Sequence, residues 1–321
     1  MSTKTKLRLI LGGILTAVIV YFSIRALRDL HPAELHEMHV NWLLVVLSIL
    51  IFMFANYIRG LAYTRGIDRE IDRLTAFQIV GIGHAANMIL PLRAGEGLRW
   101  VFFPRSYTAK QRTEMLIIPA LGDFVVIMAI ALFAVPFAGF KNPLLLKALW
   151  ILFFAFIGGC ALCVVLVALV PILRRYVMGY MHPGMLKMMW WITLSWLLLL
   201  ASMWVGLIAY GFGVWHSVQL ALAAFAATNI ISFIPASPGG IGLFEYGMIL
   251  GLGGLGIGQG AAIASGLLLH FIQYAALLPM GVVLYILALH GRYGEDLRRM
   301  WHKKKNGAPA EAAPKDGKTG R

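Results

Sequence analysis

Charge is scarce in this 321-residue chain: Asp, Glu, Lys and Arg together make up 13% of it. Soluble domains carry about a quarter charged residues. The shortage excludes a soluble enzyme, a disordered chain and a fibrous one. Cysteine is scarcer still, at two residues, which excludes a disulfide-built scaffold. No Walker lysine accompanies the glycine-rich stretch Gly251–Leu255, so no nucleotide site is expected there. No Ser/His/Asp set and no metal-ligand spacing stand out, so neither covalent hydrolysis nor a metal or other cofactor is expected. What is abundant is apolar: 60% of residues are hydrophobic and the mean hydropathy is +0.79. The fold class left is an all-α polytopic membrane protein. Its 28 Lys and Arg outnumber 14 Asp and Glu. In a soluble protein that excess would suggest nucleic acid. In a membrane protein it marks basic cytoplasmic loops, and no nucleic-acid partner is expected.

A bilayer crossing needs roughly 20 apolar residues. Six runs qualify: Leu7–Ile24, Trp42–Ile58, Met115–Ala138, Ala148–Val170, Met188–Phe212 and Gly260–Leu289. The first lacks a small-x-small cleavage site, so it reads as an uncleaved span. Two other segments are shorter and broken. Ala76–Leu90 runs into Pro91-Leu-Arg-Ala-Gly-Glu-Gly-Leu-Arg99 and then Trp100–Phe103. Gln219–Ile234 runs into Pro235-Ala-Ser-Pro-Gly-Gly-Ile-Gly-Leu-Phe-Glu245 and then Tyr246–Leu252. A short helix, a Pro/Gly break with a carboxylate and a second short apolar piece form the pattern of a re-entrant hairpin. If both segments return to the side they entered, 22 Lys/Arg fall on the face with the termini and 4 on the other. If all eight segments cross, the split is 18 against 8. The positive-inside rule favours hairpins and cytoplasmic termini.

The order is then span, span, cytoplasm-entering hairpin, span, followed by the same set upside down. One transmembrane domain over residues 1–290 is expected, built as an inverted-topology repeat of about 7–138 and 148–290. Asn87 and Asn229 precede the two breaks as supporting polar groups, and Glu96 and Glu245 follow them. Convergent breakage of two unrelated helices is the alternative. The tail 291–321 reads as a basic cytoplasmic segment around Trp301 that meets anionic headgroups, with a disordered last part.

An ionisable group at bilayer depth costs at least roughly 2.5–3.5 kcal/mol, so each one raises a functional question. Arg93, Glu96 and Arg99 are spaced three apart. One carboxylate beside two guanidiniums keeps a net positive charge, and guanidinium forks onto phosphate. Either they form a headgroup-phosphate site or they pin the hairpin tip by a salt bridge. Ser237, Pro238, Gly239, Gly240 and Gly242 make a tight turn before a helix start, which attracts anions or merely permits close packing. Glu245 is either a helix cap or a partner for Arg93 or Arg99. Asp123 is a carrier of a coupling proton, a partner of a hairpin arginine, or a backbone-bonded group. Glu96 and Glu245 share the proton-pathway candidacy. His84 and His270 read as hydrogen-bonded core residues, and His31, His36 and His39 as a solvated loop cluster. Cys160 and Cys163 read as small packing residues.

The two broken segments also resemble a known family. Pro91–Arg99 resembles its signature P-x-R-x-G-E-x-x-R, and Ser237–Glu245 resembles P-G-G-x-G-x-x-E. The family is the lysylphosphatidylglycerol synthase transmembrane region, a flippase-like membrane family, and the likeness covers about residues 7–290. It implies movement of a polar-headed lipid between leaflets, and it implies that Arg93, Gly95, Glu96, Arg99, Pro238, Gly239, Gly240, Gly242 and Glu245 belong to the site. In the synthases this region is fused to an aminoacyl-transferase domain. The short tail after Gly291 leads us not to expect lysyl transfer here, nor enzyme activity.

The expected function is a lipid translocase of the bacterial inner membrane. It would move an anionic phospholipid or isoprenoid-linked lipid past a polar site between the two hairpins, either alone or as a homo-oligomer. The rival readings are an intramembrane enzyme on a lipid phosphate, with Glu96 and Glu245 as acid and base, and a non-transporting partner protein.

Overall fold

The computed structural model describes residues 40–67, 71–90, 93–104, 106–139, 143–180, 183–232 and 238–305. The expected span Leu7–Ile24, the His31, His36 and His39 loop, Pro91, Ser237 and the tail from Asn306 lie outside the described residues.

The described residues form helices and no strands. Helix α1 (Trp42–Ala62) starts at Asn41, whose side-chain oxygen accepts the N–H groups of Leu43 and Leu44 at 3.1 and 3.3 Å. Such a cap satisfies donors that have no partner within the helix. A π-helical turn, Tyr63–Ile67, extends it. Helix α2 (Arg73–Ile89) is capped by Asp72, and α3 (Gly95–Phe102) follows the break. Helix α4 (Ala109–Ala138) opens with a capping box between Thr108 and Gln111. Then come α5 (Pro143–Leu169), α6 (Pro171–Tyr180) and α7 (Pro183–Tyr210), each opening on proline, which costs no hydrogen bond at that position. Helix α8 (Val214–Ile231), a 3₁₀ turn (Pro238–Gly240), α9 (Leu243–Gly253) and α10 (Gln259–Lys305) complete the described chain.

Six of these helices are long and apolar enough to cross a bilayer: α1, α4, α5, α7, α8 and α10. Five match expected spans. The sixth, α8, was expected as the short arm from Gln219. It begins at Val214 instead because Val214 and Trp215 extend the apolar run back to Gly213. The connection Pro171–Lys187 contains helix α6, in which Ile172, Leu173 and Val177 recur at helical spacing beside Arg174 and Arg175. Past Gly291, α10 continues as helix to Lys305.

The two broken segments fold as antiparallel helical hairpins. Helix α9 returns along α8 with Gly247 against Thr228 and Gly251 against Ala223; a Cβ on Gly251 would stand 2.7 Å from the Ala223 carbonyl oxygen. Helix α3 returns onto α2, where Gly95 abuts the Gly83 carbonyl and the Arg99 stem crosses Gly83.

Helices α1 and α7 form the antiparallel centre of the molecule. Ser48 Oγ donates to the Ser202 carbonyl at 2.7 Å and Ser202 Oγ donates to the Ser48 carbonyl at 2.9 Å. On one side of this pair the Asn41 N–H donates to the Ala209 carbonyl at 2.9 Å. On the other, Ser195 Oγ donates to the Ala55 carbonyl at 3.0 Å. Around this axis α2 packs on α10 and α8 on α4, α1 on α2 and α7 on α8, α4 on α7 and α10 on α1. Each of these pairs becomes the other when α1–α4 and α7–α10 are exchanged. Helix α5 packs on α4 and α6 while its spanning stretch stays unburied, so Cys160 and Cys163, expected in packing, are exposed.

Replacing Gly251 by Ala should push α9 off α8 and cost about 1–3 kcal/mol, the usual range for overpacking. Gly253 faces open space, so its alanine variant should unfold within a degree or so of wild type. Thermal unfolding in detergent, followed by size-exclusion fluorescence, compares the two; equal losses would contradict this packing.

Candidate functional site

Between the two hairpins lies a cavity of about 570 Å³, walled also by α1, α4, α7 and α10. That volume is within the roughly 300–1,000 Å³ of small-molecule sites. A wider hollow of about 1120 Å³ opens beside Arg65, Asp72, Arg73 and Lys187. It holds none of the buried ion pairs, so the chemistry is assigned to the smaller cavity.

The first hairpin supplies the cationic wall. Arg99 is 7% exposed, and its Nη1 donates to Glu96 Oε2 at 3.0 Å. Its Nε and Nη2 have no protein partner. The other Glu96 oxygen accepts from Asn87 Nδ2 at 3.2 Å, and Asn87 Oδ1 accepts the Gly95 N–H at 2.8 Å. One asparagine thus closes the hairpin and orients the carboxylate that holds Arg99. At the tip, Arg93 has a left-handed backbone (φ 55°), a conformation costing a non-glycine residue roughly 1–2 kcal/mol. Its Nη2 donates to the Ser232 carbonyl at 2.6 Å, at the end of α8 where helix carbonyls lack partners. Arg93 therefore ties one hairpin to the other.

Asp123 lies midway along α4, deeper in the helix than the expected span boundary implied, because α4 starts at Ala109. Its partner is Arg59 of α1, not a hairpin arginine. Its second oxygen accepts from Trp196 Nε1 of α7 at 2.7 Å. Arg59 lies one residue past the expected span Trp42–Ile58. It is 4% exposed, because α1 continues past Ile58, and its Nη1 has no partner.

Glu245 bonds neither Arg93 nor Arg99. Its Oε2 accepts the Gly242 N–H at 2.7 Å, which caps α9. Its Oε1 lies 2.6 Å from His270 Nδ1, and His270 Nε2 lies 3.0 Å from the Gly239 carbonyl oxygen. A carbonyl only accepts, so Nε2 carries a hydrogen. The contact between Nδ1 and the carboxyl oxygen then needs one more proton, shared by the pair. His270 is the buried, hydrogen-bonded core histidine that the sequence suggests, and its carboxylate partner lies 25 residues away in sequence. On α2, His84 Nδ1 donates to Asn56 Oδ1 at 2.6 Å, and Tyr274 Oη of α10 donates to the Met88 carbonyl at 3.1 Å. These bonds hold α2 to α1 and α10.

Of the expected site residues, Asn87, Arg93, Glu96, Arg99, Asp123, Asn229, Gly239 and Gly240 line the one cavity. Gly95, Gly242 and Glu245 are not among the residues lining the cavity: Gly95 packs on α2, and the other two form the α9 cap. Asn229 differs from Asn87 in donating to the Phe225 carbonyl of its own helix. Pro238 opens the 3₁₀ turn. Sequence reasoning missed Arg59, Asn56, Trp196 and the pairing of His270. Two signals were present. Asn56, Arg59 and Tyr63 continue one face of α1, and His270, Gln273 and Tyr274 put a polar stripe along an otherwise apolar helix.

The chain belongs to the lysylphosphatidylglycerol synthase TM region family, whose model matches residues 9–281. No curated protein and no solved structure matches it. With six helices among the described residues long and apolar enough to cross a membrane, the chain is a multi-pass membrane protein of a family concerned with lipid handling, matched in the membrane region of that family.

Changing Arg59 to Met should strand the Asp123 carboxylate and cost about 3–5 kcal/mol, whereas adding Asp123→Leu should recover most of the loss. A double-mutant cycle of detergent unfolding temperatures measures this coupling; additive losses would refute the pair.

Proposed function

We propose that this member of the lysylphosphatidylglycerol synthase TM region family is a translocase that moves an anionic, phosphate-headed lipid between leaflets. The observation that carries the proposal is Arg99: a buried guanidinium with two unpartnered nitrogens on a cavity enclosed by both hairpins. Free N–H groups on a buried guanidinium favour an oxyanion, and the guanidinium fork suits phosphate. Arg93, at the hairpin junction, supplies the second cation. The headgroup enters the cavity while the acyl chains stay in the bilayer, so the polar part avoids the hydrocarbon.

The exchange of packing partners between the two halves supports an inverted repeat, with both hairpins re-entering the membrane from opposite faces. Alternate exposure then comes from rocking one half against the other about the α1–α7 axis. Asp123 and Glu96 sit against arginines and serve as fixed counter-charges, while the Glu245–His270 pair lies behind the cavity wall and braces the second hairpin.

Proteoliposomes with fluorescent phospholipids test the proposal. Arg99→Ala and Arg93→Ala should each slow lipid movement at least tenfold at unchanged protein insertion, since each removes a charged hydrogen-bond donor from the cavity wall. Wild-type rates equal to both variants for every phospholipid tried would reject it.

A further inference from the structure

We propose that helix α6 lies flat in the membrane surface and docks there on anionic lipid headgroups. Its position is fixed at both ends. It begins two residues after Leu169, where α5 stops, and α7 opens at Pro183, three residues after α6 stops at Tyr180. Both neighbours are long and apolar enough to cross a bilayer. Helix α6 has 10 residues, about 15 Å, which is too short to cross. It is therefore held at the face where α5 leaves the bilayer and α7 enters it.

The residues of α6 sort by side. Ile172, Leu173 and Val177 fall within about 140° of arc around the helix, and Arg174 and Arg175 take the remaining side with Met178 between them. The helix packs on α5, yet Ile172 stays 84% exposed. A short helix with one apolar side and one basic side lies in the interface plane, its apolar side sunk into the boundary of the acyl chains. That pose buries Ile172 and lifts the two arginines to the headgroups, where their long stems let the charge reach water.

Charge complementarity gives the partner its sign. Between Asp123 and Glu245 the chain contains no Asp or Glu, so α5, α6 and α7 offer Arg174 and Arg175 no counter-charge of their own. More cations gather where α7 begins. Gly66 of the π-helical turn abuts Met188 there, and Arg65, Arg73 and Lys187 line the neighbouring hollow. The acid among those lining residues, Asp72, is spent on capping α2. A surface of anionic lipid supplies the missing charge, and its pull on each Arg or Lys is screened by salt. Because α7 is half of the central α1–α7 pair, an anchored α6 sets the level at which that pair meets the membrane surface.

Electron paramagnetic resonance on the full chain in nanodiscs tests this. In a Cys160→Ala, Cys163→Ala background, a nitroxide is placed at Ile172→Cys or at Met178→Cys. Access of oxygen, which collects among acyl chains, is compared with access of a neutral nickel chelate, which stays in water. In discs of one part phosphatidylserine to two parts phosphatidylcholine, the oxygen-to-nickel ratio at 172 should exceed that at 178 at least tenfold. Pure phosphatidylcholine, high salt, or Arg174→Gln with Arg175→Gln should each lower the ratio at 172 at least threefold. A label at 172 as open to nickel as the one at 178 overturns the proposal, because the helix then stands in water. Low access of both reagents at 172 overturns it too, because a second copy or another part of the chain then covers that side. An equal ratio in neutral and anionic discs overturns the anionic partner, and an unchanged ratio in the Gln variant overturns the role of the two arginines.

Discussion

A guanidinium cannot sit in hydrocarbon alone. Its planar charge needs an anion and hydrogen-bond acceptors, or the helix that carries it is not stable there. Two arginines among the described residues, Arg59 and Arg99, are almost completely withdrawn from solvent, and the polar contacts described above are arranged around them. Asp123 answers Arg59 across α1 and α4. Glu96 answers Arg99 within one hairpin. Each carboxylate is then fixed by a neutral donor, Trp196 in one case and Asn87 in the other. Neither arginine is saturated by these partners: Arg59 Nη1 and Arg99 Nε and Nη2 have no hydrogen-bond partner in the protein.

The hairpins matter because they bring broken backbone to that place. A continuous helix keeps its carbonyls and amides to itself. A break frees them, and the freed groups here are used in specific ways. The Ser232 carbonyl receives Arg93, the Gly239 carbonyl faces His270, and the Gly242 amide caps onto Glu245. The Met88 carbonyl at the end of α2 receives Tyr274. The polar bonds that join one hairpin to the rest are few and directional. In the proposed cycle they are the bonds that exchange, whereas the serine pair of α1 and α7 stays as the pivot.

Much of this was legible in the amino-acid order. The apolar runs forecast α1, α4, α5, α7 and α10, because a bilayer-length run of Leu, Val, Ile and Phe has few other fates. The Pro/Gly breaks forecast where the helices are interrupted, and Gly95 shows how the pieces pack: only a residue without a Cβ lets α3 approach Gly83 and Asn87 so closely. Arg93, Glu96 and Arg99 stood out by their cost in lipid. The amphipathic α6 and the early start of α8 were hidden, since charge counting discards the helical spacing of the apolar residues between the charges.

Composition and local pattern by themselves determined that the chain is helical, that it belongs in a membrane, where its backbone breaks and which local cluster carries charge. Those features depend on residues close in sequence. The partners were decided only by tertiary structure. Arg59 with Asp123, Glu245 with His270 and Arg93 with Ser232 are separated by 64, 25 and 139 residues. Which of several charged groups meet depends on how the helices pack. Packing is set by small differences in shape summed over many apolar contacts, and no short-range pattern encodes them.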